Sequence, residues 1–419
     1  MLTTILFVLL LLPERPESTT GVAFLQAQAR RILTGCQTVA YNNVTLFTPD
    51  GSNHYNAQYT RDFYYALSGT PASFWTKEQA TAAINYTFNR QRVSDGLVPD
   101  KVAANGQTGW APGAIDEPMT DHAWDNGAFG ALLLTELTSK WPSKATFCAL
   151  EPKAFRGLHF LNLSSPNGLV YNDPISPNCT YGFTDNIAKT GSLLFTSLLL
   201  YDATRAMATY THQYGCGNGT WYEHTAEQIS KHLDTTFYDE RSGLWDAATL
   251  DNSMPDIWGS FYVVALQLST SDRRQRAMGL LLNDASLDCA CCSTAPRNGS
   301  SSSIYVYGQV RHLPSGCYWE RCINDNCPPR GTYQNGAYWA TPLVYLAKAA
   351  VNEKNSTFVQ LAKNIVNATV TFYQNGLPGF MASPAINEAI NPAIPYAGAA
   401  DYVASVTNGL KAVTLLVEQ

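Results

Sequence analysis

An all-α fold is predicted for this chain of 419 residues: an (α/α)6 toroid of six helical hairpins with disulfide-stapled loops. Three observations predict it. Helical patterns alternate between polar-faced segments and segments apolar nearly all round. Each apolar segment opens from a loop carrying acids and aromatics. Such openings recur six times, around Arg61, Glu117, Asp185, Asp256, Tyr333 and Asp401. A helix with one polar face lies at the surface, whereas one that is apolar on every side is buried. Six of each build two concentric rings, the outer shielding the inner.

The pairs follow in order. Residues 22–33 have one polar face and precede the more apolar 59–67; residues 77–86 precede 121–134, whose second half is apolar all round. Segment 145–161 pairs with 189–203, 223–233 with 258–266, 272–282 with 336–350, and 356–373 with 401–417. Short strands are expected only as loop ornaments, near 243–246 and 303–308. Residues 287–329, with little apolar periodicity and six cysteines counted from Cys289, read as a disulfide-stapled loop.

Residues 2–12 are apolar, too short for a membrane span, and sit where a secretory leader would. We therefore expect a signal peptide over residues 1–18 and a single domain over 19–419, in a secreted protein or one of the secretory-pathway lumen. Eight Asn-x-Ser/Thr sequons agree: Asn43, Asn85, Asn162, Asn178, Asn218, Asn298, Asn355 and Asn367. None falls inside an expected inner helix, where a glycan has no room. The ten cysteines, Cys36, Cys148, Cys179, Cys216, Cys289, Cys291, Cys292, Cys317, Cys322 and Cys327, are even in number and suit disulfides in an oxidising compartment. No pair has the spacing of a zinc ribbon.

The net charge of −6, without a run of Lys or Arg, leaves no electrostatic footprint for nucleic acid or an anionic membrane. A neutral partner fits better. Charged residues are 14% and aromatics 12% of the chain, as in a packed secreted protein, and aromatic faces also serve sugar clefts.

In a toroid the loops entering the inner helices share one mouth, where helix N-termini favour carboxylates. Asp62, Asp100, Asp116, Glu117, Asp121, Asp125, Asp185, Asp256, Glu388 and Asp401 all fall at such positions. Any one of them can be a helix cap worth ~1 kcal/mol. Together they suit hydrolysis of a glycosidic bond, which needs an acid for the leaving oxygen and a base for water, ~6.5–9.5 Å apart when the anomeric centre inverts.

With the toroid inferred, the mouth resembles that of the six-hairpin glycosidase superfamily, which includes glucoamylases, trehalases, processing α-glucosidases and α-rhamnosidases. The similarity spans nearly the whole mature chain. Tyr59-Thr60-Arg61-Asp62 looks like the glucoamylase motif that grips the terminal sugar's hydroxyls, which implies a substrate-binding role for Arg61 and Asp62. Tyr181-Gly-Phe-Thr-Asp185 occupies the place of the general acid, and Glu388, in the loop before the last inner helix, that of the general base. Glucoamylases have Glu where Asp185 stands. Ile115-Asp116-Glu117 resembles the acid-bearing motif of maltose-phosphorylase-like enzymes but falls at the second inner helix, so Glu117 is the alternative acid. The resemblance further implies substrate contacts for Asp116, Asp121, Trp124, Asp125, Tyr181, Trp258, Arg311, His312, Tyr333 and Trp339.

The expected function is a secreted, exo-acting, inverting glycoside hydrolase with a carbohydrate substrate. No cofactor or metal motif is visible. A catalytically silent glycan-binding protein and a polysaccharide lyase are the competing readings, the lyase being disfavoured by the few Arg residues near the mouth. Absence of Asp-Asp-x-x-Asp, GxSxG, HExxH and P-loop motifs removes prenyl-chain chemistry, common serine hydrolases, zincins and P-loop NTPases.

Overall fold

The computed structural model describes residues 17–162, 167–283, 303–325, 327–376 and 385–419; for residues 17–20 and 325 only the backbone is described. Residues 1–16 of the expected signal peptide, Cys289, Cys291, Cys292 and the sequon at Asn298 lie outside them.

Twelve α-helices form the described chain: α1 (Glu17–Gly35), α2 (Thr60–Ser68), α3 (Lys77–Phe88), α4 (Asn126–Lys140), α5 (Lys144–Asn162), α6 (Leu194–Tyr214), α7 (Gly219–Phe237), α8 (Ile257–Leu266), α9 (Ser271–Asn283), α10 (Leu343–Asn352), α11 (Ser356–Asn375) and α12 (Val403–Val417). The even-numbered helices pack in a closed ring, α2 on α4, α4 on α6, α6 on α8, α8 on α10, α10 on α12 and α12 back on α2. The odd-numbered helices pack outside them, as α1 does on α12 and α7 on α6. This is the expected (α/α)6 toroid.

Sequence explains the two rings. In α8 every residue from Ile257 to Ala265 is buried, so apolar side chains serve on all sides. In α7 the buried positions Tyr222, Thr225, Ala226, Ile229, Leu233 and Phe237 recur at helical spacing, leaving a polar face to solvent. Thr76 and Gln79 form a reciprocal capping box at the start of α3. None of these helices is long and apolar enough to cross a membrane.

Four inner helices begin later than expected. Residues 121–125, 189–193, 336–342 and 401–402 are loop or extended backbone, and the helices start after them. Local chemistry accounts for three of the four. Asp125 directs its carboxylate to Arg61 rather than to its own helix. Gly191 has φ +78° and enters a strand pair with residues 171–172. Asp401 has φ +53° and pairs with Arg31. Asp256, in contrast, caps α8 by accepting from the Gly259 N–H at 2.9 Å.

Strands are short and confined to loops. The antiparallel group of residues 57–59, 101–103 and 108–109, whose first strand runs directly into α2, shapes one side of the mouth. Disulfides join Cys148 to Cys216 and Cys322 to Cys327, and Cys317 is also disulfide-bonded. Cys36 and Cys179 depart from the expectation: both are buried free thiols. Sequons Asn85, Asn162, Asn218, Asn355 and Asn367 lie on or beside outer helices, and none of the seven described is buried.

Candidate active site

Loops entering opposite sides of the inner ring meet over the α2 N-terminus. Arg61 is the hub. Its Nε donates to Asp125 Oδ2 at 2.9 Å, and its Nη2 bonds Asp100. Arg61, Asp100 and Asp125 are all buried, and Lys101 Nζ stands 3.5 Å from the second Asp100 oxygen. Two cations therefore balance two carboxylates, the condition under which buried charge is tolerated. Asp125 Oδ2 also accepts the Gly182 N–H at 2.9 Å, tying the loop before α6 to α2. A side chain at 182 would run into the Arg61 guanidinium, so the close approach requires glycine there.

A small cavity of about 30 Å³, the scale of one or two water molecules, opens beside this hub. Tyr55, Tyr59, Arg61, Asp62, Tyr333 and Glu388 line it, with Gly182, Phe183 and Tyr402. Tyr55 Oη donates to Glu388 Oε1 at 3.0 Å, and Tyr402 Oη to Asp62 Oδ1 at 2.6 Å. Asp185 follows directly on the 3-10 turn Gly182–Thr184. Gln334, fully buried, donates from its amide to Asp185 and accepts the Asn186 N–H at 3.0 Å. Because a backbone N–H can only donate, it fixes which end of the amide faces the carboxyl.

None of Asp62, Asp185 and Glu388 forms an ion pair among the described residues, and their acidities reflect it. Burial raises Glu388 to about 8, aided by the charges of Asp62 and Asp185 and opposed by the Tyr55 hydrogen bond. Burial likewise raises Asp185 to about 6, against the Gln334 hydrogen bond and the fields of Arg61 and Lys101. Asp62 also rises to about 6 through burial, against Arg61 and Tyr402. Desolvation is the leading cause each time. Three proton-holding carboxyls at one mouth suit acid–base work.

The other expected site residues divide into three groups. Tyr333 joins the cavity, held at φ +38° with its carbonyl accepting the Trp339 indole N–H at 3.3 Å. Trp124, Tyr181, Trp258, Arg311, His312 and Trp339 are buried and none lines the cavity. His312 stacks on Trp258 with centroids 3.6 Å apart, and burial and Lys189 hold it well below the usual histidine range. Tyr181 bonds Tyr65 at 3.0 Å, Trp124 bonds Asn172 at 3.0 Å, and Arg311 donates to the Cys317 carbonyl at 3.0 Å. Asp116, Glu117 and Asp121 are exposed, Asp121 pairing with His122 and Arg92.

Tyr55, Tyr402 and Lys101 are site residues that the sequence does not point to. Neutral residues acquire such roles only by position, and Lys101 showed no sequence signal beyond following Asp100. Among the described residues no cluster of His, Cys, Asp or Glu could hold a metal ion.

No family model matches the sequence, and no curated protein does. Solved structures do match in shape. A family 63 glycoside hydrolase, the mannosylglycerate hydrolase of Thermus thermophilus in complex with glucose, superimposes with a TM-score of 0.62 at 13% identity, over 94% of this chain and 100% of that one. The same enzyme in complex with Tris gives 0.61 at 14% identity, over 92% and 99%. The rhamnosidase from Klebsiella oxytoca with rhamnose bound gives 0.62 at 12% identity, over 93% of this chain and 63% of its own. At such identity the likeness is one of architecture, and this chain has the (α/α)6 six-hairpin fold of those glycosidases.

Proposed function

We propose that the protein is a secreted glycoside hydrolase that removes a sugar from the non-reducing end of a glycan by an inverting acid–base mechanism. The observation that carries this reading is the carboxyl pair Asp185 and Glu388. They stand before α6 and α12, helices three apart in a ring of six, and the charge of Asp185 raises the proton affinity of Glu388. In the first assignment Asp185 protonates the departing oxygen and Glu388 draws a proton from water attacking the opposite face. Asp62 and Tyr402 are placed to hold hydroxyls of the terminal sugar, and Arg61 fixes the floor.

The order of proton affinities favours a second assignment with the roles exchanged. Glu388 holds its proton to about 8 and Asp185 only to about 6, so at neutral pH Glu388 is the better stocked acid. Leaving-group dependence separates the two. A variant lacking the acid keeps activity on glycosyl fluorides, which leave without a proton, and a variant lacking the base does not. Proton NMR of the first product anomer tests inversion; a retained anomer contradicts it.

A polysaccharide lyase would need a free cation for a uronate and a Tyr or His base. Arg61 and Arg311 are both committed, and His312 is buried against Trp258. Hydrolysis fits these commitments better. A silent glycan-binding protein shares the fold, and only turnover distinguishes it.

A further inference from the structure

The cavity between Asp62 and Glu388 encloses about 30 Å³, and a second, larger hollow shares the Tyr59 side chain with it. This groove encloses about 500 Å³, within the ~300–1,000 Å³ range of small-molecule sites. Tyr59 lines both spaces. Its ring packs edge-on to Tyr55 at 5.5 Å on the cavity side and carries Lys101 Nζ at 5.1 Å on the groove side. From Tyr59 the groove runs past Lys101 and the turn of residues 103–107 to the loop of residues 113–116.

Resting on the hydrolase reading above, we infer that this groove is the binding site for the leaving-group side of the substrate, and that it takes a neutral, hydroxyl-rich oligosaccharide. Asn56, Asn105, Gln107 and Asp116 supply polar groups along it. Charge decides against an acidic chain. Lys101 is the one cationic side chain among the lining residues, and it is spent on the carbonyls of Ala111 and Gly113 and on Asp100. Asp116 adds an exposed negative charge. A carboxylate on the leaving group would meet repulsion without a partner.

The groove is tested with Ala104→Trp, which places an indole in it, and with Gln107→Ala, which removes a polar contact at lower risk to folding. Two readouts are paired. One is kcat/KM on a neutral oligosaccharide relative to an aryl glycoside of the same terminal sugar; the other is binding of that oligosaccharide by calorimetry to the Glu388→Gln protein. The groove predicts that Ala104→Trp lowers the kcat/KM ratio and the affinity about tenfold or more, and Gln107→Ala by a smaller factor in the same direction. It predicts also that an analogue with a carboxylated leaving-group sugar binds about tenfold more weakly than the neutral one. Equal losses on both substrates, or none on either, overturn the groove while hydrolysis stands. Groove-dependent binding by a protein that hydrolyses nothing upholds the groove and overturns the hydrolase reading. Binding that neither variant changes overturns the groove.

Discussion

Tyr55 Oη donates a 3.0 Å hydrogen bond to Oε1 of Glu388, joining a loop before the first inner helix to the loop before the last. The bond favours the carboxylate form of a group that burial pushes the other way. Tyr55→Phe should therefore raise the proton affinity of Glu388 further. With Glu388 as base, the acidic limb of the kcat/KM profile moves to higher pH. A lower rate with an unmoved limb would make Tyr55 a packing residue only.

Gln334 does the same for Asp185. Gln334→Met removes a neutral donor from that carboxyl, and Asp185 then holds its proton to higher pH. With Asp185 as acid, the basic limb extends upward, and Gln334→Glu lowers activity more than Gln334→Met by placing a second acid against the first. The pH–rate profiles of the two variants check this.

Breaking the Arg61 hub should cost fold stability as well as activity. Arg61→Met leaves Asp100 and Asp125 buried with one cation fewer, a loss of about 3–5 kcal/mol. Denaturant midpoints at unchanged m-value measure it.

Three buried carboxyls destabilise the fold as pH rises. Asp62, Asp185 and Glu388 all bind protons more tightly folded than unfolded. Their stabilising contribution is complete below the ordinary carboxylate range near pH 4 and is lost as pH climbs through about 6 and then about 8. Glu388→Gln removes the last of these steps. Its melting temperature should match that of the parent at pH 4 and exceed it at pH 9, the gain in unfolding free energy being on the order of a few kcal/mol. Equal pH dependence in both proteins would show that Glu388 is not desolvated.

Removing the Cys148–Cys216 disulfide, which closes a separation of 68 residues between α5 and the end of α6, should cost about 4 kcal/mol through freed chain entropy. Thermal melts of Cys148→Ser with Cys216→Ser against the parent check it.

The hairpins were legible because burial writes itself into helical periodicity, and α8 and α7 are the two extremes. The inner-helix starts were not. Acids before an apolar run look like helix caps, yet Asp125 serves Arg61, 64 residues away, and Asp401 serves Arg31, 370 residues away. Aromatic residues at the openings gave no clue to which face the cavity and which the core: Tyr333 lines it, whereas Trp258 and Trp339 are buried behind. An even cysteine count concealed two free thiols, since parity constrains pairing only when every thiol is oxidised.

Sugar release from a panel of α-linked gluco-, manno-, galacto- and rhamno-oligosaccharides by the purified protein, beside Asp185→Asn, Glu388→Gln and Glu117→Gln, tests the central claim most directly. The carboxyl pair predicts release by the parent and by Glu117→Gln, and its loss in the other two. Release that survives in Asp185→Asn and Glu388→Gln, or fails in the parent on every substrate, would contradict it.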